Sequence, residues 1–120
     1  TDPELCKELL QRILPELKIE HVGRLDVYVK DEKETVYDIE MQTTNTKELP
    51  KRSRYYQGMI DLQMIEKGEF YQTSYIIFLC SFDLFGRGRH KYTFRNLYKE
   101  DTTLTLKDGT TKLFLNAKGK

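Results

Sequence analysis

Long apolar runs, paired cysteines, clustered histidines and a strong net charge are all missing from this chain. No stretch approaches the ~20 consecutive apolar residues of a membrane-crossing helix, so no membrane partner is expected. No signal peptide is visible, and the expected location is cytoplasmic. The two cysteines, Cys6 and Cys80, sit in apolar surroundings without CxxC or Cys/His spacing. Reduced core thiols are expected of them, not a disulfide or a zinc site, which agrees with that location. His21 and His90 have no partner at i,i+4, so neither zinc binding nor a Ser/His/Asp triad is indicated. Neither GxGxxG nor GxxxxGK[ST] occurs, and GRGRH, ending at His90, is too short to cradle a nucleotide. A formal net charge of +1 argues against nucleic-acid binding by bulk charge, while leaving room for a local basic stripe.

With 38% hydrophobic and 32% charged residues over 120 positions, the chain has the composition of a soluble globular domain with one core. One domain over 1–120 is expected, and the start at Thr1 in place of Met suggests a fragment of a longer chain. Asp2 followed by Pro3 marks a helix start, and Cys6, Leu9, Leu10, Ile13 and Leu14 recur at helical spacing before Pro15.

The stretch from Gly23 to Gln42, GRLDVYVKDEKETVYDIEMQ, reads as two strands joined by a charged turn. Side chains alternate along a strand, so Leu25, Val27, Val29, Tyr37, Ile39 and Met41 share one face, and Asp26, Glu40 and Gln42 share the other. One face is expected to pack and the other to carry acids. An antiparallel register that pairs Leu25 with Met41, Val27 with Ile39 and Val29 with Tyr37 also sets Asp26 opposite Glu40 and Arg24 opposite Gln42. Directly opposed Cβ atoms lie only about 5 Å apart, and like charges there are destabilising. A cation between the two carboxylates is one reason to keep them there; a solvated face whose acids pair with Lys or Arg is the other.

Thr43 to Lys47 reads as a loop, and Leu49 to Lys67 as a helix with Pro50 in its first turn and Gly68 as its stop. Tyr56, Met59, Ile60 and Gln63 are expected on one side, with Arg52 a turn earlier. Lys51, Arg52 and Arg54 make the amino end of this helix basic, against the helix dipole; phosphate binding and a solvated patch both accommodate that. Tyr75 to Cys80 is an uninterrupted apolar run, the pattern of a strand covered on both faces, and the intervening helix makes it parallel to the Glu40 strand. Asp83 to His90 reads as a turn-rich basic surface loop, and Lys91 to Tyr98 as a half-buried strand. Asp108-Gly109 signals a hairpin between Thr102–Lys107 and Thr110–Leu115, with Leu104 opposite Leu113. The whole predicts an α/β (α+β) fold with a mixed central sheet flanked by helices.

GRLDVYVKDEKETVYDIEMQ, the KRSRYY segment, IEKGEFY and YIIFLCSFDLF, taken in this order and spacing, resemble the recombination-promoting nuclease and transposase-like branch of the PD-(D/E)xK superfamily. The resemblance runs from about Gly23 to the end of the chain. It implies a restriction-endonuclease-like core and a DNA endonuclease linked to recombination or transposition, dependent on Mg²⁺ or Mn²⁺. By the match of motifs, Asp26 and Glu40 are the metal-binding acids, the Met41 carbonyl is a further ligand, and Gln42 stands where the more familiar motif has lysine. Glutamine positions a water or phosphate by hydrogen bonding but carries no charge, so Asp26, Glu40 and Gln42 form a catalytic set whose proton chemistry depends on the metal. Arg52 matches the phosphate-contacting position of R-x-x-Y-Y, with Lys51, Arg54 and Tyr56 as further nucleic-acid contacts; packing is the stronger expectation for the tyrosine itself. DNA, a divalent metal and a second copy of the chain are the partners in view. The alternative is a non-catalytic DNA- or protein-binding module on a degenerate nuclease fold, motivated by the near-neutral charge and by Gln42.

Overall fold

The computed structural model describes residues 19–22, 28–31, 35–68 and 72–117. The expected first helix, with Asp2 and Cys6, lies outside these residues, and so do Arg24, Leu25, Asp26 and Val27. The described elements are β1 (Ile19–Val22), β2 (Tyr28–Asp31), β3 (Val36–Gln42), α1 (Leu49–Glu66), β4 (Ser74–Cys80), β5 (Lys91–Phe94) and β6 (Thr110–Asn116). They build a six-stranded sheet in the order β1-β2-β3-β4-β6-β5. β1, β2 and β3 form an antiparallel meander, β4 runs parallel to both β3 and β6, and β5 closes the far edge antiparallel to β6. This is the mixed α+β sheet expected from the sequence.

The hairpin register is as the alternation predicts where it is described: Tyr28 pairs with Asp38, Val29 with Tyr37 and Lys30 with Val36. β4 is the fully covered parallel strand, with Ile76, Ile77 and Phe78 all at zero exposure. Parallel pairing demands a crossover, and α1 supplies it. Pro50 fits the first turn, where no helical N–H is needed, and Gly68 ends the helix at φ 73°, a conformation glycine adopts without a Cβ clash.

The crossover overturns one expectation. The acid-bearing face of β3 is not a separate polar surface, because α1 packs on that same face. Val36, Ile76, Phe78, Cys80 and Phe114 pack there with Leu49, Ile60 and Met64 of the helix. The other face of β3 is buried too at Tyr37 and Ile39, while Met41 is 43% exposed. The buried stripe of α1 is Leu49, Ser53, Ile60 and Met64, with Tyr56 packed beside it. Met59 and Gln63, expected alongside Tyr56, are exposed, since the helix contacts the sheet along a line rotated toward Ser53 and Met64.

Two further expectations change at the carboxyl end. The strand from Lys91 stops at Phe94, and only an isolated bridge, Leu97 to Thr105, continues the pairing. Thr102–Lys107 is no hairpin partner of β6, because both edges of β6 are taken by β4 and β5. Leu113 therefore faces Ile77 and Thr93, and Leu104 is 53% exposed. The Asp108-Gly109 turn does form, with Gly109 at φ 75° and the Asp108 carboxylate accepting from Thr110 and Asn96. Burial pushes the Asp108 carboxyl up, but these hydrogen bonds outweigh it and hold the group below the usual carboxylate range.

Phe78 is the centre of this core, stacked on Phe114 at 5.1 Å and tilted against Tyr56 at 6.1 Å. Phe78→Ala is expected to lower unfolding stability by about 3–5 kcal/mol, read as a shifted urea midpoint at unchanged slope.

Candidate functional site

Row by row, the sheet registers place Glu40, Phe78, Phe114 and Tyr92 side by side on the face covered by α1. Glu40 is thus a carboxylate at one end of an aromatic row, and it is only 6% exposed. An unaccompanied charge there would be strongly unfavourable, so its neighbours matter. Tyr56 reaches toward it from α1, close enough for the Glu40 charge and a weak hydrogen bond to act on its hydroxyl. Arg52, one turn earlier, donates from Nη2 to the same hydroxyl at 2.5 Å and lies over the Tyr56 ring at 5.4 Å. The helical i,i+4 spacing makes this chain of contacts possible. Burial, together with the Glu40 charge, pushes the Tyr56 hydroxyl above its ordinary value of 10.0, against the opposing pull of Arg52.

The remaining sequence candidates distribute plainly. Gln42 is partly buried on the same face as Glu40, at the carboxyl end of β3, and its carbonyl accepts from the Ser81 amide at 3.1 Å. With Met41, Leu79 and Leu115 of the opposite face, and with His90 and Asn116, it borders a mainly apolar cavity of about 360 Å³ at that end of the sheet. Met41 lies between Glu40 and Gln42 on the opposite face. Lys51 and Arg54 are exposed on the first turns of α1, and Tyr55 is 65% exposed. Asp26 lies outside the described residues. Among the described residues no three His, Cys, Asp or Glu side chains gather into a metal cluster. The donor chemistry at Glu40 still fits a hard divalent cation: a buried carboxylate within β3 supplies the oxygen that Mg²⁺ or Mn²⁺ prefers. Cys80 is a free, buried thiol that burial raises to about 11, so it is no ready nucleophile.

A family model described as a PD-(D/E)XK nuclease family transposase matches residues 7–118. The chain belongs to this family. Membership supports a nuclease or transposition-related function on nucleic acid, within a family that generally uses divalent metals, and the mixed sheet with its crossover helix is consistent with a restriction-endonuclease-like core. No curated protein and no solved structure matches the chain.

In the sequence Arg52 and Tyr56 follow the acidic strand without any evident link to Glu40. The signal was present: an arginine and a tyrosine at i,i+4 on the helix that follows the acidic strand. Tyr56→Phe removes the hydroxyl joining Arg52 to Glu40 and is expected to cost about 1–3 kcal/mol at neutral pH. The raised Tyr56 value gives this a pH signature. The stability held by the neutral hydroxyl is full below pH 10.0 and is lost as pH rises through the raised value, so the difference between wild type and Tyr56→Phe should be flat below pH 10.0 and shrink between there and the raised value. Urea unfolding at a series of pH values checks this.

Proposed function

We propose that this protein is a divalent-metal-dependent DNA endonuclease whose reacting centre is Glu40 with Asp26, assisted by Gln42 and Arg52. The observation that carries the reading is the buried Glu40 carboxylate held beside Tyr56 and Arg52 in a chain of the PD-(D/E)XK nuclease family. The register followed by Tyr28–Lys30 is the same one that, read along the sequence, assigns Asp26 to Glu40.

Asp26, Glu40 and the Met41 carbonyl would hold Mg²⁺ or Mn²⁺. A bound cation of this kind supplies Lewis-acid chemistry, neutralising charge on the phosphate and lowering the pKa of water. The chain's own groups do the rest. Arg52 offers a planar set of donors that suits a phosphate, and its bond to Tyr56 fixes where the guanidinium sits. Gln42 donates or accepts a hydrogen bond at the strand end and orients a water or phosphate oxygen there. Lys51 and Arg54, exposed at the start of the same helix, hold the DNA backbone by charge. Recombination or mobile-element movement is the process that such cleavage would serve.

Incubation with supercoiled plasmid and Mg²⁺ or Mn²⁺ should give nicked and linear products, and a chelator should stop the reaction. Glu40→Ala is expected to lower the rate by about 100-fold or more. Equal rates in Glu40→Ala and wild type would refute the site. The Arg52 guanidinium, acting through Tyr56, offsets part of the Glu40 charge without any metal ion, and this favours a second reading, a DNA-binding module that has lost catalysis. Calorimetric titration with Mg²⁺ or Mn²⁺ separates the two: metal binding abolished by Glu40→Ala supports the nuclease, and DNA binding without metal binding supports the module.

A further inference from the structure

We propose that the β4–β5 loop is a second DNA-backbone clamp, presenting Arg87 and Arg89 to phosphates across the sheet from Glu40. The inference rests on DNA being the substrate, and it assigns a binding role to residues outside the acid motif and the amino end of α1.

The loop is built with unusual internal order for a surface connection. The Asp83 carboxylate accepts from the Gly86 amide at 2.9 Å, the Gly88 amide at 2.8 Å and the Tyr92 hydroxyl at 2.8 Å. The Tyr92 oxygen in turn accepts from the amides of Arg87 at 3.1 Å and Arg89 at 3.3 Å. Four successive backbone N–H groups are therefore consumed inside the loop. Gly86 and Gly88, at φ 69° and 71°, supply the left-handed turns that this alternation requires. Phe85 anchors the loop against the sheet, 4.9 Å from Tyr92 and 5.1 Å from both Phe94 and Phe114. Asn116 fastens its far end, donating from its side chain to the Arg89 carbonyl and from its amide to the His90 carbonyl.

What this frame displays is positive charge. Arg87, Arg89, His90 and Lys91 are all exposed. The one carboxylate in the loop, Asp83, is spent on holding the backbone, and neither arginine forms an ion pair with a described residue. Fixing a loop so firmly in order to exhibit unpaired guanidinium groups has little structural return, whereas a preorganised pair of arginines suits a phosphodiester backbone. The position agrees. β4 ends at Cys80 beside Gln42, so the loop leaves the sheet at the same end as the candidate site. Phe85 and Arg54 line one cleft of about 320 Å³, which sets the loop next to the basic start of α1. Glu40 and Tyr92 lie three strand spacings apart in one row, so the loop that Tyr92 fastens stands about 14 Å across the sheet from Glu40.

The test is metal-free binding of a labelled duplex in chelator, followed by anisotropy between about 50 and 200 mM salt. For an Arg87→Gln, Arg89→Gln double variant, the slope of log affinity against log salt should shrink by about 1.8, two phosphate contacts at about 0.9 each. Arg87→Lys with Arg89→Lys should restore most of that slope. A wild-type slope in the glutamine variant, or no duplex binding by the wild type, overturns the clamp. Loss of slope together with plasmid left uncut under every metal condition refutes the nuclease reading and leaves the clamp standing. Both arginines are exposed, so unchanged thermal unfolding is the expected control.

Discussion

The parallel pairing of β3 with β4 is the constraint from which the rest of the architecture follows. Two adjacent parallel strands cannot be joined by a tight turn, so the chain must cross back over one face of the sheet. It crosses over the face that bears Glu40 and Gln42. That choice buries a carboxylate, and the same crossing brings the compensation, because the helix that covers Glu40 also carries Tyr56 and Arg52.

Burial changes what these groups can do. Beside Phe78, Glu40 lies in a medium where electrostatic interactions are stronger than in water, so a cation, a guanidinium or a phosphate placed there is felt more strongly. The aromatic row extends this dry floor to Tyr92, which stands at the far end as both a ring in the core and a hydroxyl in the loop. Two polar assemblies therefore share one hydrophobic base: Arg52–Tyr56–Glu40 at one end, and Asp83–Tyr92 with the loop amides at the other. Each uses a tyrosine in the same way, packing the ring and joining a carboxylate to hydrogen-bond donors through the oxygen.

Much of this was legible in the sequence for identifiable reasons. The period of two in VYDIEMQ and the unbroken apolar run of YIIFLC specify a strand pair and its parallel sense, since a helix-length segment lies between them. Pro50 and Gly68 bracket the helix because their backbone restrictions act locally. The covering of the acid face was not legible, as the apolar surface that attracts α1 belongs to β4 and β6 and not to the acidic strand itself. The Asp108-Gly109 signal specifies the turn but not the hairpin: turn chemistry is local, whereas the choice of partner for β6 is made across the sheet. The loop after Cys80 shows the same divide. Its glycines announce turns, but nothing in the spacing shows that Asp83 and Tyr92 would take up the four amides from Gly86 to Arg89.

The protonation behaviour of the site narrows its chemistry. A glutamine side chain does not titrate near neutral pH, a guanidinium keeps its charge, and the Tyr56 hydroxyl is pushed further from neutrality by burial and by Glu40. None of Gln42, Arg52 and Tyr56 can therefore serve as a general base at physiological pH, although all three lie on or around the candidate centre. These residues contribute position and charge but no proton acceptor, a role that among the groups of the candidate centre only a carboxylate could fill. A chain with lysine in place of Gln42 would have a second cation at the strand end. This one has Arg52 instead, reaching the Glu40 neighbourhood from the covering helix through Tyr56, so positive charge is supplied from the helix and not from the strand.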